Sequence, residues 1–332
     1  MKINLHFYFG KIKVTGLEKV PKDKPVLFLP NHQSALLDVL LIGIDCNRRP
    51  WFLTRSDVFK SKLLSSLFNI FQMIPIYRIR DGRESLKNNQ AVFDRCSELL
   101  EQNEAIVMFP EANHNLKRRV RPLSKGFTRI LFNTLDRAPK TDIHIIPVGI
   151  NYRDAASFPD KVALYFGAPI AMNGMYNPQD EKGSIDRIKE AVSSKLKTLT
   201  THIDDEENYD QIVRRLDAGG VNYLNPEEVN TMLKNMPASV VKGKKDFSFS
   251  VLAKGIFTLL NLPMLLLWRI IGKPKVWEDE FMGTLRFAFS VIVFPIYYAI
   301  VFSLLALIWS PLIGLYAILG LIVFNWLYIR SD

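Results

Sequence analysis

Residues 25–38, PVLFLPNHQSALLD, decide how this chain folds. The first five form an unbroken apolar run, the pattern of a strand covered on both faces. Pro30, Asn31, His32, Gln33 and Ser34 interrupt it, and an apolar helical pattern follows over 35–46, with Asn31 or Ser34 placed to cap the helix. A buried strand that feeds a polar loop and then a helix is the repeating unit of an α/β layer. Such layers carry their chemistry in the loops that leave the C-terminal ends of strands.

Working outward, short apolar runs alternate with amphipathic stretches. Strands are expected over 11–14, where polar and apolar residues alternate, and over 73–77, 105–109, 143–150 and 162–166, each rich in β-branched or aromatic residues. Helices are expected over 58–70, 84–102 and 125–136. In the second of these Val92, Cys96, Leu99 and Leu100 recur at helical spacing, which makes Cys96 a core residue. Residues 1–175 thus read as an α/β domain. A polar helical extension follows over 176–250, with helices near 184–201, 206–217 and 226–235.

The apolar residues concentrate near the end of the chain. Residues 287–329 contain no Asp, Glu, Lys or Arg, and a helix needs about 20 apolar residues to cross a bilayer core. With Trp309, Ser310 and Pro311 as the break, this reads as a transmembrane hairpin, 287–308 and 311–329, bracketed by Arg286 and Arg330. A shorter apolar run, 255–271, is interrupted at Asn261-Leu262-Pro263 and suits a re-entrant or interfacial helix, so the membrane region spans 251–332. Lys2, Lys11 and Lys13 interrupt any leader-like run, and with basic residues flanking every apolar segment the α/β domain is expected on the cytoplasmic side of an inner, multi-pass membrane location.

Composition narrows the function. The 332 residues are 48% hydrophobic with a net charge of +10, too apolar for a disordered chain and basic enough to attract anions. Two cysteines exclude a disulfide framework. The basic residues lack the interleaved aromatics of a nucleic-acid binder, and two spans are too few for a transporter. Lipid phosphates and the bilayer are the partners that remain.

Three loops carry candidate chemistry. In the first, His32 precedes the helix and Asp38 lies inside it. Six residues apart they could not meet along a straight helix, but with His32 in the loop they can. A carboxylate on Nδ1 fixes the imidazole tautomer and leaves Nε2 to take a proton from a hydroxyl. The second loop holds Arg78 and Arg80, suited to bidentate phosphate contact. The third holds Glu111, followed by Lys117, Arg118, Arg119, Arg121, Lys125 and Arg129 without an intervening acid. No metal-ligand cluster appears among five histidines, and neither cysteine stands in a motif loop beside a base.

Asn31-His32 with a following Asp, then Ile76-Tyr77-Arg78, then Phe109-Pro110-Glu111, then Ile146-Pro147-Val148-Gly149-Ile150 resemble the four ordered blocks of the glycerolipid acyltransferase family, which contains glycerol-3-phosphate and 1-acylglycerol-3-phosphate O-acyltransferases. The resemblance implies a mixed sheet flanked by helices. It also implies acyl transfer from acyl-CoA or acyl carrier protein to a glycerol-phosphate hydroxyl, on the way to phosphatidic acid, with no cofactor and no metal. His32 becomes the general base and Asp38 its orienting partner. Arg78, Glu111, Lys117, Arg118 and Arg119 become the phosphate-binding set, and Pro147 sits near the acyl donor. Another lyso-lipid acceptor, such as an aminoacyl lyso-lipid, stays open, as does a non-catalytic membrane-anchored scaffold. Two departures stand out: five residues separate His32 from Asp38 where the family commonly has four, and Ala112 replaces a Gly, which tells against a left-handed backbone there. His114 is either a local compensation or a bystander.

Overall fold

The computed structural model describes residues 2–56, 72–77, 87–172, 174–235 and 250–331. Its sheet is centred on β2 (Val26–Pro30), all five residues of which are buried. Around it lie β1 (Phe9–Thr15), β3 (Trp51–Arg55), β4 (Met73–Ile76), β5 (Ala105–Val107), β6 (His144–Tyr152), β7 (Asp160–Phe166) and the short β8 (Ile170–Ala171). The order is β1-β7-β6-β2-β5-β3-β4, with β8 beside β6. β2 runs parallel to β5 and β6, whereas β6 pairs antiparallel with β7 and β8, so the sheet is mixed. β1, β3 and β8 show what the linear pattern does and does not reveal. β1 carries the expected polar and apolar alternation and lies at the edge of the sheet. β3 and β8 were not expected, because one ends in Thr54 and Arg55 and the other has only two residues.

Alternate residues of the central strands feed two cores, as the period of two requires. On one face Leu27, Leu29 and Ile106 pack against α3 (Asn89–Glu101), α4 (Gly126–Arg137) and α5 (Glu181–Leu199), through Phe93, Cys96, Leu100, Phe127, Leu131 and Ile188. On the other, Val26, Phe28, Val107 and Val148 pack against α1 (Lys2–Tyr8) and α2 (Ala35–Asp45), through Leu5, Tyr8, Leu37 and Leu41. Cys96 is fully buried in the first core. α5 therefore belongs to the layer over the sheet. α6 (Tyr209–Ala218) and α7 (Pro226–Lys234) close a small cluster of their own around Tyr209, Leu216, Tyr223 and Val229.

α8 (Ser250–Leu260) and α9 (Leu262–Leu267) meet at Asn261, and the chain bends there by 79°. α10 (Met282–Ile308) and α11 (Pro311–Ser331) form the hairpin, apolar on all sides. Among the described residues, Asp279–Ile308 and Pro311–Ser331 are long and apolar enough to cross a membrane. Asn261 and Asn325 exchange amide hydrogen bonds of 2.8 and 3.0 Å and join the bend to the hairpin, a polar pairing of the kind that holds helices together in an apolar medium.

Both feet of the hairpin stand on the α/β domain. At the α11 foot Tyr328 and Ile329 are buried, and Gly10 of β1 lies so close to the Ile329 carbonyl that a Cβ would collide with it. At the α10 foot Gly283 faces α2, where a Cβ would meet Leu37 Cδ1 at 2.9 Å and Ser34 Oγ at 3.1 Å. The hydroxyl of Tyr8 donates to the Gly283 carbonyl at 3.2 Å.

Candidate active site

The loop between β2 and α2 is held from both ends. Asn31 is buried, its amide donates to the Ile150 carbonyl at 3.0 Å, and its side-chain oxygen accepts from the Ile150 amide at 2.7 Å. The polar residue that ends the apolar run therefore extends the β2–β6 pairing by one step, and His32 follows in a fixed place. At the other end Asp38, fully buried in the first turn of α2, accepts from the amides of Gln33 and Ser34 at 2.7 and 2.8 Å. The carboxylate pairs with two amides of the loop that leads into the helix and sits where the helix dipole favours negative charge.

The same Oδ2 lies 2.8 Å from His32 Nδ1. A carboxylate only accepts, so Nδ1 is the donor, and in the neutral imidazole Nε2 is the nitrogen with the lone pair. Asp38 Oδ1 accepts from the Tyr152 hydroxyl at 2.6 Å. Burial and the Asp38 charge hold the Tyr152 phenol well above its ordinary pKa, so it stays a donor. The structure thus brings His32 and Asp38 together as the loop placement of His32 predicts. It adds Tyr152, which sequence reasoning missed because this residue is one more buried aromatic at the end of a buried strand.

The longer His32–Asp38 spacing is accompanied by a positive φ of 37° at Ala35, the first residue of α2. Ala112 likewise has φ of 65°, so the left-handed conformation is present in the loop after β5 despite the missing glycine. That corrects the expectation drawn from Ala112, and an L-residue there costs about 1–2 kcal/mol. The turn lets the Asn115 amide donate to the His32 carbonyl at 3.0 Å, tying this loop to the first.

Phe109, at the start of that loop, stacks on the His32 ring with centroids 4.0 Å apart. Glu111 is buried and accepts from Arg121 Nε and Nη2 at 3.1 and 2.8 Å, and Arg121 Nη2 also donates to the Asn113 carbonyl. Burial pushes the Glu111 carboxyl up, against the opposing pull of the Arg121 guanidinium and of His32. Glu111 therefore holds an arginine near the dyad. Arg121 is the member of the basic run that the geometry singles out, and in sequence nothing distinguishes it from its neighbours.

The other expected phosphate ligands are placed differently. Arg118 is corrected: its guanidinium donates to the carbonyls of Tyr152 and Arg153 at 3.0 and 2.7 Å and lies over the Tyr223 ring at 3.5 Å. Burial lowers its pKa, and its contacts brace α6 and α7 against β6. Arg119 bonds the Asp204 carbonyl and Glu206, each at 3.1 Å, while Lys117 lies 5.1 Å from the Tyr209 ring centroid. Pro147 sits inside β6 opposite Leu29 of β2, and its carbonyl accepts from Gly167 at 2.9 Å. Arg78, Arg80 and the helix expected over 58–70 lie outside the described residues.

His114 enters the site as well. Its ring is edge-on to His32 at 5.6 Å, and its Nε2 lies 2.9 Å from Glu278 Oε2.

The site thus combines a buried strand end, an imidazole hydrogen-bonded to a buried carboxylate and an arginine paired with a second buried carboxylate. Residues 11–151 match the family model described as Acyltransferase. Over 136 residues the chain is 26% identical to glycerol-3-phosphate O-acyltransferase 1 of Saccharomyces cerevisiae, covering 39% of this chain and 18% of the yeast protein. Over 142 residues it is 27% identical to a 1-acyl-sn-glycerol-3-phosphate acyltransferase of Chlamydomonas reinhardtii, covering 42% and 38%. The chain thus spans less than two fifths of either relative's length. A crystal structure of the 1-acyl-sn-glycerophosphate acyltransferase PlsC from Thermotoga maritima superposes with a TM-score of 0.38 at 18% identity, over 59% of this chain and 79% of that one. That likeness is too low to carry an argument.

Proposed function

We propose that this protein transfers a fatty acyl group from acyl-CoA or acyl carrier protein to the hydroxyl of glycerol-3-phosphate or 1-acylglycerol-3-phosphate. The observation that carries the reading is the 2.8 Å contact of His32 Nδ1 with a fully buried Asp38, inside the segment that matches the Acyltransferase family model. His32 Nε2 takes the proton as the acceptor oxygen attacks the thioester carbonyl, and Asp38 stabilises the imidazolium that forms. The tetrahedral intermediate collapses with loss of the thiolate, which leaves with a proton returned from His32.

Transfer is direct, without an acyl-enzyme. Cys46 and Cys96 are buried, and burial pushes their thiols up to about 11 and about 12, far from a nucleophilic thiolate at neutral pH. The acceptor phosphate is held by Arg121 in its Glu111 cradle and, by the family resemblance, by Arg78. The hairpin crosses the membrane and sets the α/β domain on the cytoplasmic surface, where the acceptor's product enters phospholipid synthesis.

The test is an assay of detergent-extracted full-length protein with labelled acyl-CoA and acyl carrier protein, offering glycerol-3-phosphate, dihydroxyacetone phosphate and lysophosphatidic acid, with products identified by mass. Acylated product with one of these acceptors, abolished by His32→Ala, is expected. Absence of product with all of them, or full activity in His32→Ala, removes the reading.

A further inference from the structure

We propose that Glu278 is a positioning residue of the active site and that residues 277–281, outside the matched domain, form a wall of that site by holding His114 against His32. The inference rests on the acyltransferase reading for its kinetic consequence but not for its geometry.

This segment links the bent helices α8 and α9 to the hairpin. Its backbone is turned by a hydrogen bond of 3.0 Å from the Phe281 amide to the Glu278 carbonyl, and Trp277 packs on Phe281 with centroids 4.4 Å apart. From that turn Glu278 reaches His114 Nε2 at 2.9 Å, while the Phe281 ring meets the His114 ring edge-on at 4.8 Å. His114 belongs to the loop after β5, yet with these two partners its side chain is only 11% exposed. Its ring in turn stands 5.6 Å from that of His32, nearly perpendicular at 86°, while Phe109 covers a face of His32. The general base thus has a face against Phe109 and a flank against an imidazole whose orientation is set from the membrane region.

The segment cannot drift independently of the site. Directly after it Gly283 closes on Leu37 and Ser34 of the β2–α2 unit, and the Thr284 hydroxyl donates to the Ser34 carbonyl at 3.4 Å. Hairpin docking and placement of Glu278 are therefore one event. The Glu278 side chain is 55% exposed, so as an ion pair it contributes little to stability. Its contribution is orientational: a carboxylate on Nε2 fixes the His114 ring. A loosened ring beside His32 admits water and lets the general base leave its productive rotamer.

The experiment uses full-length protein in detergent and two readouts. Diethyl pyrocarbonate labelling, resolved by peptide mass spectrometry, reports ring accessibility at His32 and His114 without reference to catalysis. Glu278→Ala is expected to raise both labelling rates several-fold. Glu278→Gln, which keeps a hydrogen bond, stays near wild type. So does Glu280→Ala, which removes a neighbouring carboxylate within 4.8 Å of the pair but not the contact itself. Phe281→Ala, read the same way, serves if Glu278→Ala does not fold. In kinetics Glu278→Ala is expected to lower kcat roughly tenfold with the donor KM unchanged, and Glu278→Gln to recover most of the loss. An unchanged His32 labelling rate in both Glu278→Ala and Phe281→Ala overturns the inference. Absence of acyl transfer by wild type overturns the proposed function, and the labelling result then still decides the role of Glu278.

Discussion

The hydroxyl of Tyr152 lies 2.6 Å from Asp38 Oδ1, so the last residue of β6 completes the hydrogen bonding of a carboxylate in the first turn of α2. Asp38 meets four donors, from His32, Gln33, Ser34 and Tyr152, with no exposure to water. A buried carboxylate whose hydrogen bonds are so satisfied is held in one orientation, which is what a positioning partner for an imidazole requires.

Tyr152→Phe removes one of those donors and leaves the charge in place. Stability is expected to fall by about 1–3 kcal/mol in denaturant titration, and kcat to fall with both KM values unchanged. Asp38→Asn places an amide opposite Nδ1 and releases the tautomer, so kcat is expected to fall by about 10⁴-fold. Equal activity of Asp38→Asn and wild type contradicts the dyad.

Arg121→Ala strands the buried Glu111 carboxylate. The expected cost is about 3–5 kcal/mol, part of which returns in the Glu111→Gln/Arg121→Ala double variant, because the uncompensated charge is then gone. Assayed under conditions where both variants fold, Arg121→Ala raises the acceptor KM far more than the donor KM. A parallel rise in both removes the phosphate role.

Asp160, buried at the start of β7, accepts the Asp154 amide at 2.9 Å through Oδ1, while its Oδ2 has no hydrogen-bond partner among the described residues. Burial pushes its carboxyl from 3.8 to about 7. The folded state therefore binds this proton more tightly than the unfolded chain does. Stability from this group is lost as pH rises from about 4 to about 7 and changes no further above that. Asp160→Asn keeps an acceptor for the Asp154 amide without the charge, so its stability profile flattens across that window. An unaltered slope rejects the assignment.

Ala112→Gly relieves a left-handed alanine. The gain of about 1–2 kcal/mol is offset by about 0.4–1 kcal/mol of added freedom in the unfolded chain, so a small rise in Tm is expected. A fall in Tm shows that the Ala112 side chain makes contacts worth more than the strain.

The hairpin geometry also sets topology. The α11 foot packs on β1 and the α10 foot on α2, so a reporter fused after Asp332 is expected on the side of the α/β domain, and one inserted at Ser310 on the opposite side. Both reporters on one side exclude two crossings.

Much of this architecture is visible in the linear pattern because it is encoded locally. Strand β2, the helices over 89–101 and 126–137, and the hairpin each follow from the period or length of an apolar run. The His32–Asp38 pair follows from a loop residue set just before a helix start. β3 escapes such reading because its pairing with β4 and β5, more than its composition, makes it a strand.

By itself the sequence determined the α/β layering, the dyad and the apolar hairpin, since period, run length and short spacing act between near neighbours. Only the tertiary structure decided that Tyr152 supports Asp38, that Arg121 pairs with buried Glu111 while Arg118 serves as a brace, and that Glu278 holds His114. The reason is physical. Adjacent arginines differ in function by the partners that reach them, and those of Arg118 and His114 arrive from elements far along the chain, through packing that no local periodicity records.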